Sequence, residues 1–148
     1  MISQKAIFAL RVVLMIAKRN HTGPVHIAEV SKMTGVSIKY LEVILSELRA
    51  SRLLKSEKGC MGGYNLAKPA TQIAFLDIIG AIDGPLSLAP CACNTKSNQC
   101  TGCFDKIDWV VGDTLKLAGE AAAAVLARHR LGASNRTQSS STMLSFSR

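Results

Sequence analysis

The chain has 148 residues, of which 48% are hydrophobic, and a net charge of +8, which suits one folded domain with an additional arm. Charged residues such as Lys5, Arg11 and Lys18 interrupt the apolar N-terminal region. They argue against a membrane span and a signal peptide, so we expect a cytoplasmic protein. Residues 1–70 carry eleven basic and four acidic side chains, and this half of the chain is expected to face a polyanion.

The first segment is predicted to be a helix from residue 4 to about residue 18, because apolar residues recur there at helical spacing. Gly23-Pro24 marks a break after it. The residues expected on its apolar side are Ile7, Leu10, Val13 (or Leu14) and Ala17.

Two short helices joined by a turn at Thr34-Gly35 are predicted next. Ser37 is placed to cap the second helix, residues 38 to about 50, by accepting hydrogen bonds from free backbone amides of its first turn. This order is the layout of a helix-turn-helix, whose second helix enters the major groove of DNA. The residues expected on the apolar side of the first helix are Ile27, Ala28, Val30 and Met33. The residues of the second helix expected to face the core are Leu41, Ile44, Leu45 and Leu48.

A β-hairpin is predicted from residues 53–57 and 64–67, with a glycine-rich tip between them. A basic hairpin directly after a recognition helix is a wing, and Lys58 at its tip is placed to reach phosphate or the minor groove. A short apolar helix over residues 73–82 should then cover the core of the winged domain. Asp83-Gly84-Pro85 should end it.

Four of the five cysteines lie in one short polar loop, spaced C-x-C-x6-C-x2-C. Thiolates crowded in this way bind a soft metal or an iron–sulfur cluster, or they pair as disulfides. A reducing cytoplasm favours metal binding or redox sensing over structural disulfides. The four residues are Cys91, Cys93, Cys100 and Cys103.

A long helix is predicted from residue 104 to about residue 130, and the residues after 132 are polar, aperiodic and expected to be disordered. Too little chain remains to cover the broad apolar stripe of this helix. A second copy of the same helix in a homodimer would cover it. The stripe consists of Ile107, Val110 (with Val111), Leu115 (or Thr114), Ala118, Ala122, Val125 and Leu126.

The sequence resembles the IscR, NsrR and RirA group of bacterial regulators, the Rrf2 family, over most of its length. The wing, with its glycines and tyrosine, is the most specific part of the match. The residues that carry the resemblance are 6–17, Gly23-Pro24-Val25, Ile27-Ala28, 36–42, Leu48-Arg49, Lys58-Gly59, 62–66, 79–83, Cys91, Cys103 and Trp109.

The resemblance implies a homodimeric winged-helix protein that binds palindromic operators in double-stranded DNA, mostly as a repressor. It also implies a [2Fe–2S] or [4Fe–4S] cluster held by three cysteines and a variable fourth ligand. Cys91 and Cys103 match the outer two positions of the family pattern, and either Cys93 or Cys100 matches the middle one. Lys106 stands where one subgroup of the family has a histidine ligand, so the fourth ligand is expected to be Asp105 or an N-terminal residue of the partner subunit. Alternatively, all four cysteines bind and complete an all-thiolate set.

On the second helix of the helix-turn-helix, Tyr40 and Glu42 are predicted to face the major groove, where a carboxylate can accept from cytosine N4–H. Ser37, Lys39 and Arg49 are expected to contact phosphates, and the wing is expected to contact the backbone or the minor groove. The wing residues are Lys58, Gly59 and Gly62.

These predictions describe a mostly α protein with a small β-wing. They assign residues 1–83 to the winged helix-turn-helix domain, 84–103 to the cluster-binding loop, 104–131 to the dimerisation helix and 132–148 to the tail. No nucleophile–base pair, phosphate loop or carboxylate pair indicates an enzyme. The expected function is transcription regulation that senses redox state, nitric oxide or iron status. The alternatives are a zinc-binding or cluster-free thiol-switch regulator of the same fold and, more distantly, an electron-transfer iron–sulfur protein.

Overall fold

The structure is a computed structural model that describes residues 1–19, 23–59, 62–88 and 106–132. The predicted cysteine loop at 91–103, Cys60 and the tail beyond residue 132 lie outside these ranges. The elements are α1 (Gln4–Arg19), α2 (Ile27–Thr34), α3 (Ile38–Ala50), β1 (Leu54–Glu57), β2 (Gly63–Leu66), a 3-10 turn (Ala70–Gln72), α4 (Phe75–Asp83) and α5 (Lys106–Arg128). Within the described ranges, no helix has the length and apolarity that crossing a membrane requires.

The core is built around α1, which packs against α2, α3, α4 and β2. The prediction of a helix here is confirmed, and of the residues expected on its apolar side Val13 is fully buried. The predicted residues Ile7, Leu10, Leu14 and Ala17 are only half-buried, because α1 is covered on several sides and its most enclosed side is another one. The fully buried residues of α1 are Ala6, Ala9, Val12, Val13 and Ile16.

The helix-turn-helix is confirmed, and local chemistry fixes it. Gly35 ends α2 in the left-handed conformation, with φ 70°, and its N–H donates to the Ser31 carbonyl at 2.9 Å. Ser37 caps α3, since its Oγ accepts from the Tyr40 N–H at 3.4 Å. In α2, however, Ala28 and Met33 are exposed, so the predicted apolar side of this helix is wrong at these two positions. Val30 is the only fully buried residue of this eight-residue helix.

The wing is an antiparallel pair in which Leu54 lies opposite Leu66 and Glu57 lies opposite Gly63. An isolated bridge between Val25 and Tyr64 ties it to the chain before α2. The short hairpin is therefore held at its base by the helical core.

The chain after α5 returns to the winged domain. The predicted helix extended to about residue 130, but α5 ends at Arg128, and residues 129–132, here called the C-terminal return, pack on the start of α4. The Phe75 N–H donates to the His129 carbonyl at 3.0 Å, and the Leu131 N–H donates to the Ile73 carbonyl at 3.0 Å. Leu131 is only 4% exposed and belongs to the main core. The far end of α5 is therefore part of the winged domain.

Candidate nucleic-acid interface and the cysteine segment

The exposed face of α3 follows from where its core residues lie. Leu41, Ile44, Leu45 and Leu48 are fully buried, and each residue advances about 100° around the helix axis. The side opposite these four carries Lys39, Val43 and Ser46, which are all exposed and lie within about 60° of one another. This row, here called the central face of α3, is the part of the helix that projects farthest from the core.

Tyr40 and Glu42 flank the central face on opposite sides, about 160° apart around the axis. The Tyr40 ring meets Phe8 of α1 edge-on, with ring centroids 6.2 Å apart, and the Arg11 guanidinium lies 5.7 Å from the Phe8 ring centroid. Both predicted groove residues are exposed, but the structure does not bring them together. Tyr40 borders α1, and Glu42 lies on the other edge.

Arg49 lies on the same edge of α3 as Glu42, about 20° from it around the axis. Its Nη1 donates to Ser56 Oγ on β1 at 3.5 Å. Because this contact joins the C-terminal half of α3 to the first strand of the wing, Glu42, Arg49 and the wing form one continuous side of the molecule. Lys39 and Ser37 lie at the N-terminal end of α3, where Ser37 is also exposed.

The tip of the wing places Lys58 and Gly59 in solvent, and Gly59 has φ 122°, a conformation that favours glycine. Gly62 is required for a different reason. A Cβ at Gly62 would lie 2.3 Å from the Glu57 carbonyl oxygen and 2.9 Å from that of Gly59. The two arms of the wing therefore approach each other as closely as a hydrogen side chain permits.

Val43, Ser46 and Arg11 were not among the predicted contact residues. A helical-wheel plot of α3 would have indicated the first two, because both fall opposite the four leucine and isoleucine positions. Arg11 has no such signal, since it lies beside Phe8, and the contact of Phe8 with Tyr40 depends on how α1 packs against α3.

The four clustered cysteines, Cys91, Cys93, Cys100 and Cys103, lie outside the described residues, so no geometry is assigned to them. The described part of the chain contains no group of three or more His, Cys, Asp or Glu residues that could hold a metal ion. Four thiolates within thirteen residues are nevertheless a donor set that suits an iron–sulfur cluster or Zn²⁺.

The residues before the cysteine loop at 91–103, here also called the cysteine segment, are attached to the winged domain. Asp83, at the end of α4, accepts from the Ser3 N–H at 2.7 Å and from Ser3 Oγ at 2.5 Å. Ser3 Oγ also accepts from the Ala6 N–H at 3.1 Å, so this residue caps α1. The N-terminal ammonium donates to the Ser87 carbonyl at 3.1 Å. The start of α1 and the entry to the cysteine segment are thus held together.

The helix-turn-helix of α2 and α3 followed by the β1–β2 wing places the chain in the winged helix-turn-helix class, and α5 is an addition to it. The family model for Rrf2, described as an iron-dependent transcriptional regulator, matches residues 2–133. The chain therefore belongs to the Rrf2 family of transcriptional regulators, and the resemblance inferred from the sequence is confirmed.

Among curated proteins, the HTH-type transcriptional regulator IscR of Klebsiella pneumoniae (strain 342) is 37% identical over 90 residues, which are 61% of this chain and 55% of the relative. The chain thus spans about half the length of the curated relatives it matches. Among solved structures, CymR of B. subtilis, described as the global cysteine regulator, has a TM-score of 0.72 and 26% identity, covering 89% of this chain and 93% of CymR. T. potens IscR has a TM-score of 0.67 and 26% identity, covering 89% and 83% of the two chains.

Proposed function

We propose that this protein is a cytoplasmic, homodimeric regulator that binds palindromic operators in double-stranded DNA, as a repressor, under the control of an iron–sulfur cluster. The observation that carries the proposal is the capped helix α3, whose polar outer surface continues through Arg49 into the wing. Helix-turn-helix proteins insert such a helix into the major groove.

On the DNA side, Ser37, Lys39 and Arg49 contact phosphates and fix the position of the protein on the duplex. Glu42, on the wing side of α3, accepts from cytosine N4–H. Lys58 reaches the backbone or the minor groove from the wing tip, while Gly59 and Gly62 shape that tip. Tyr40, braced by Phe8, borders the groove on the α1 side. The basic half of the chain supplies the attraction for the phosphates.

On the sensing side, Cys91, Cys93, Cys100 and Cys103 would hold the cluster as thiolates, and the cluster would supply sensitivity to oxidants, nitric oxide or iron shortage. The iron-dependent description of the family and the IscR relatives support this assignment. A zinc site or a set of disulfides in the same segment would make the protein a different kind of switch on the same fold.

The attachments at both ends of the cysteine segment support a coupling between cluster and DNA. On one side, Ser3–Asp83 and the N-terminus–Ser87 contact join the segment to the start of α1. On the other side, α5 packs against α4. Ordering or releasing the segment would therefore change how α1 and α5 are held, and a coupling of about 1–3 kcal/mol suffices for a useful switch.

The homodimer is supported by apolar residues of α5 that face solvent. Val110, Leu117 and Val125 are 69%, 66% and 55% exposed, and their spacing places them on one side of the helix. Burying this row against a second α5 would remove it from water and place two α3 helices on the two halves of a palindrome.

The test begins with protein purified without oxygen, analysed by absorption spectroscopy and by iron and acid-labile sulfide content. We expect a coloured protein with matching iron and sulfide, lost in Cys103→Ser and retained in the matched control Cys60→Ser. Operator binding is then compared between cluster-loaded and cluster-free protein. Colourless, iron-free protein that also resists anaerobic reconstitution would refute the cluster. Zinc analysis and thiol titration would then decide between the other two switches.

A further inference from the structure

Val43 is an apolar residue at the centre of a polar surface. It is 48% exposed and lies on the central face of α3, one turn after Lys39 and one turn before Ser46 and Glu47. The fully buried leucine and isoleucine residues of α3 are on the other side of the helix, so Val43 contributes nothing to the core of this chain.

The major groove presents one apolar group on its base edges, the 5-methyl of thymine, and otherwise hydrogen-bond donors and acceptors. A valine pressed against those polar groups would take them out of water without replacing their hydrogen bonds, which is unfavourable. Against a thymine methyl, the same side chain makes an apolar contact. Valine in a helix also has one strongly preferred χ1 rotamer, so it presents its methyl groups with little loss of side-chain freedom.

We infer that Val43 is a specificity-determining residue that contacts the 5-methyl of one thymine in each operator half-site. This inference rests on the proposed DNA-binding function. It goes further by naming the chemical group on DNA that the central face of α3 recognises. In this arrangement Glu42 and Val43, neighbours on α3, read different features: a cytosine amino group at the edge and a thymine methyl at the centre.

The experiment starts with selection of duplexes from a random pool by the full chain, in whichever loading state binds DNA. In the selected operator, each thymine is then replaced singly by deoxyuridine, which removes the 5-methyl and leaves base pairing unchanged. Dissociation constants are measured at one fixed salt concentration. For one thymine in each half-site we expect about fourfold weaker binding, the effect of withdrawing one methyl group from an apolar contact.

The same series is repeated with Val43→Ala and with Met33→Ala. Alanine retains the helix in both, and Met33 is an exposed apolar residue of α2 that is 57% accessible and off the central face of α3. We expect Val43→Ala, whose single methyl group is shorter than the valine side chain, to reduce the difference between the thymine and deoxyuridine operators, while Met33→Ala keeps the fourfold difference.

Each outcome bears on a different statement. An operator that lacks a thymine in its half-sites, or a Val43→Ala protein that distinguishes thymine from deoxyuridine as strongly as the wild type, would overturn this inference and leave the DNA-binding function standing. Failure of the full chain to select any duplex in either loading state would overturn both the proposed function and the inference that rests on it.

Discussion

At the residue scale, Lys58 is the exposed cation nearest the tip of the wing. If it contacts a phosphate, Lys58→Ala should weaken binding to all DNA sequences alike and reduce the slope of log K against log salt by about 1, because one fewer counterion is released. The measurement is operator binding across a salt series. The matched control is Lys68→Ala, which removes the same charge from an open cleft beside Asp77 and Gly80 of α4. Equal salt-dependence slopes for the wild type and Lys58→Ala would show that Lys58 does not contact a phosphate.

Gly62 carries a second prediction at this scale. A methyl group there would overlap the Glu57 carbonyl oxygen, so Gly62→Ala must push the two arms of the wing apart. We expect a loss of about 1–3 kcal/mol of stability together with weaker operator binding, measured by urea unfolding and titration with DNA.

Gly80→Ala is the control for Gly62→Ala. Gly80 lies inside α4, and a Cβ built on it meets nothing within 4 Å. Alanine there should stabilise the protein by about 0.5–1 kcal/mol, since glycine is unfavourable inside a helix. Wild-type stability and DNA affinity in Gly62→Ala would show that the wing rearranges without cost.

At the scale of elements, the prediction succeeded where one residue fixes a boundary locally. The cap at Ser37 determines the start of α3, and the turn at Gly35 determines the end of α2. Both can be recognised from the residue type alone. Periodicity gave the four buried residues of α3 for the same reason, because this helix has only one covered side.

Periodicity was less informative for α1, which is covered on several sides, and for α5, whose apolar residues lie on both its half-buried and its exposed side. In α1 the enclosed row includes Ala6 and Ala9, and in α5 the predicted stripe divides. Its members Leu115, Ala122 and Leu126 are half-buried, while Val110 and Val125 face solvent together with Leu117, which was not predicted. A repeat of apolar residues does not tell whether its own chain or another chain covers it.

The C-terminal return could not be predicted at all, because a single residue after the end of a helix has no periodicity. Its contacts are also remote in the chain: Arg130 Nη1 donates to the Gln72 carbonyl at 3.0 Å across 58 positions. Likewise, the sequence gives the identity of the four clustered cysteines but not which of them act together. That depends on the three-dimensional path of residues 91–103, which lies outside the described ranges.

Leu131 carries the prediction for this element. Leu131→Ala should lower the free energy of unfolding by about 2–5 kcal/mol, because it leaves a cavity in the main core. The neighbouring control Arg130→Ala removes one exposed hydrogen bond and should cost less than about 1 kcal/mol. Urea unfolding of both variants makes the comparison. Similar small losses for the two would mean that the C-terminal return is not part of the cooperative core.

At the scale of the whole molecule, α5 is half-buried on one side and apolar on the other. If a second copy covers the outer side, Leu117→Glu should place a charge in that interface and shift the protein from dimer to monomer in sedimentation or light-scattering measurements. Binding to a full palindrome should fall sharply. Binding to a single half-site should change little, since α3 and the wing are untouched.

The control for Leu117→Glu is Lys116→Glu, which introduces the same side chain one position earlier. Lys116 lies about 100° around the helix from Leu117, away from the exposed row of Val110, Leu117 and Val125. It should remain dimeric. If the Leu117→Glu protein stays dimeric, the dimer interface does not include the exposed side of α5. Other residues would then determine the spacing between the two α3 helices. A monomeric variant that keeps full affinity for the palindrome would show that operator binding does not depend on dimerisation. Two independent DNA-binding domains gain no affinity from a fixed spacing between the half-sites.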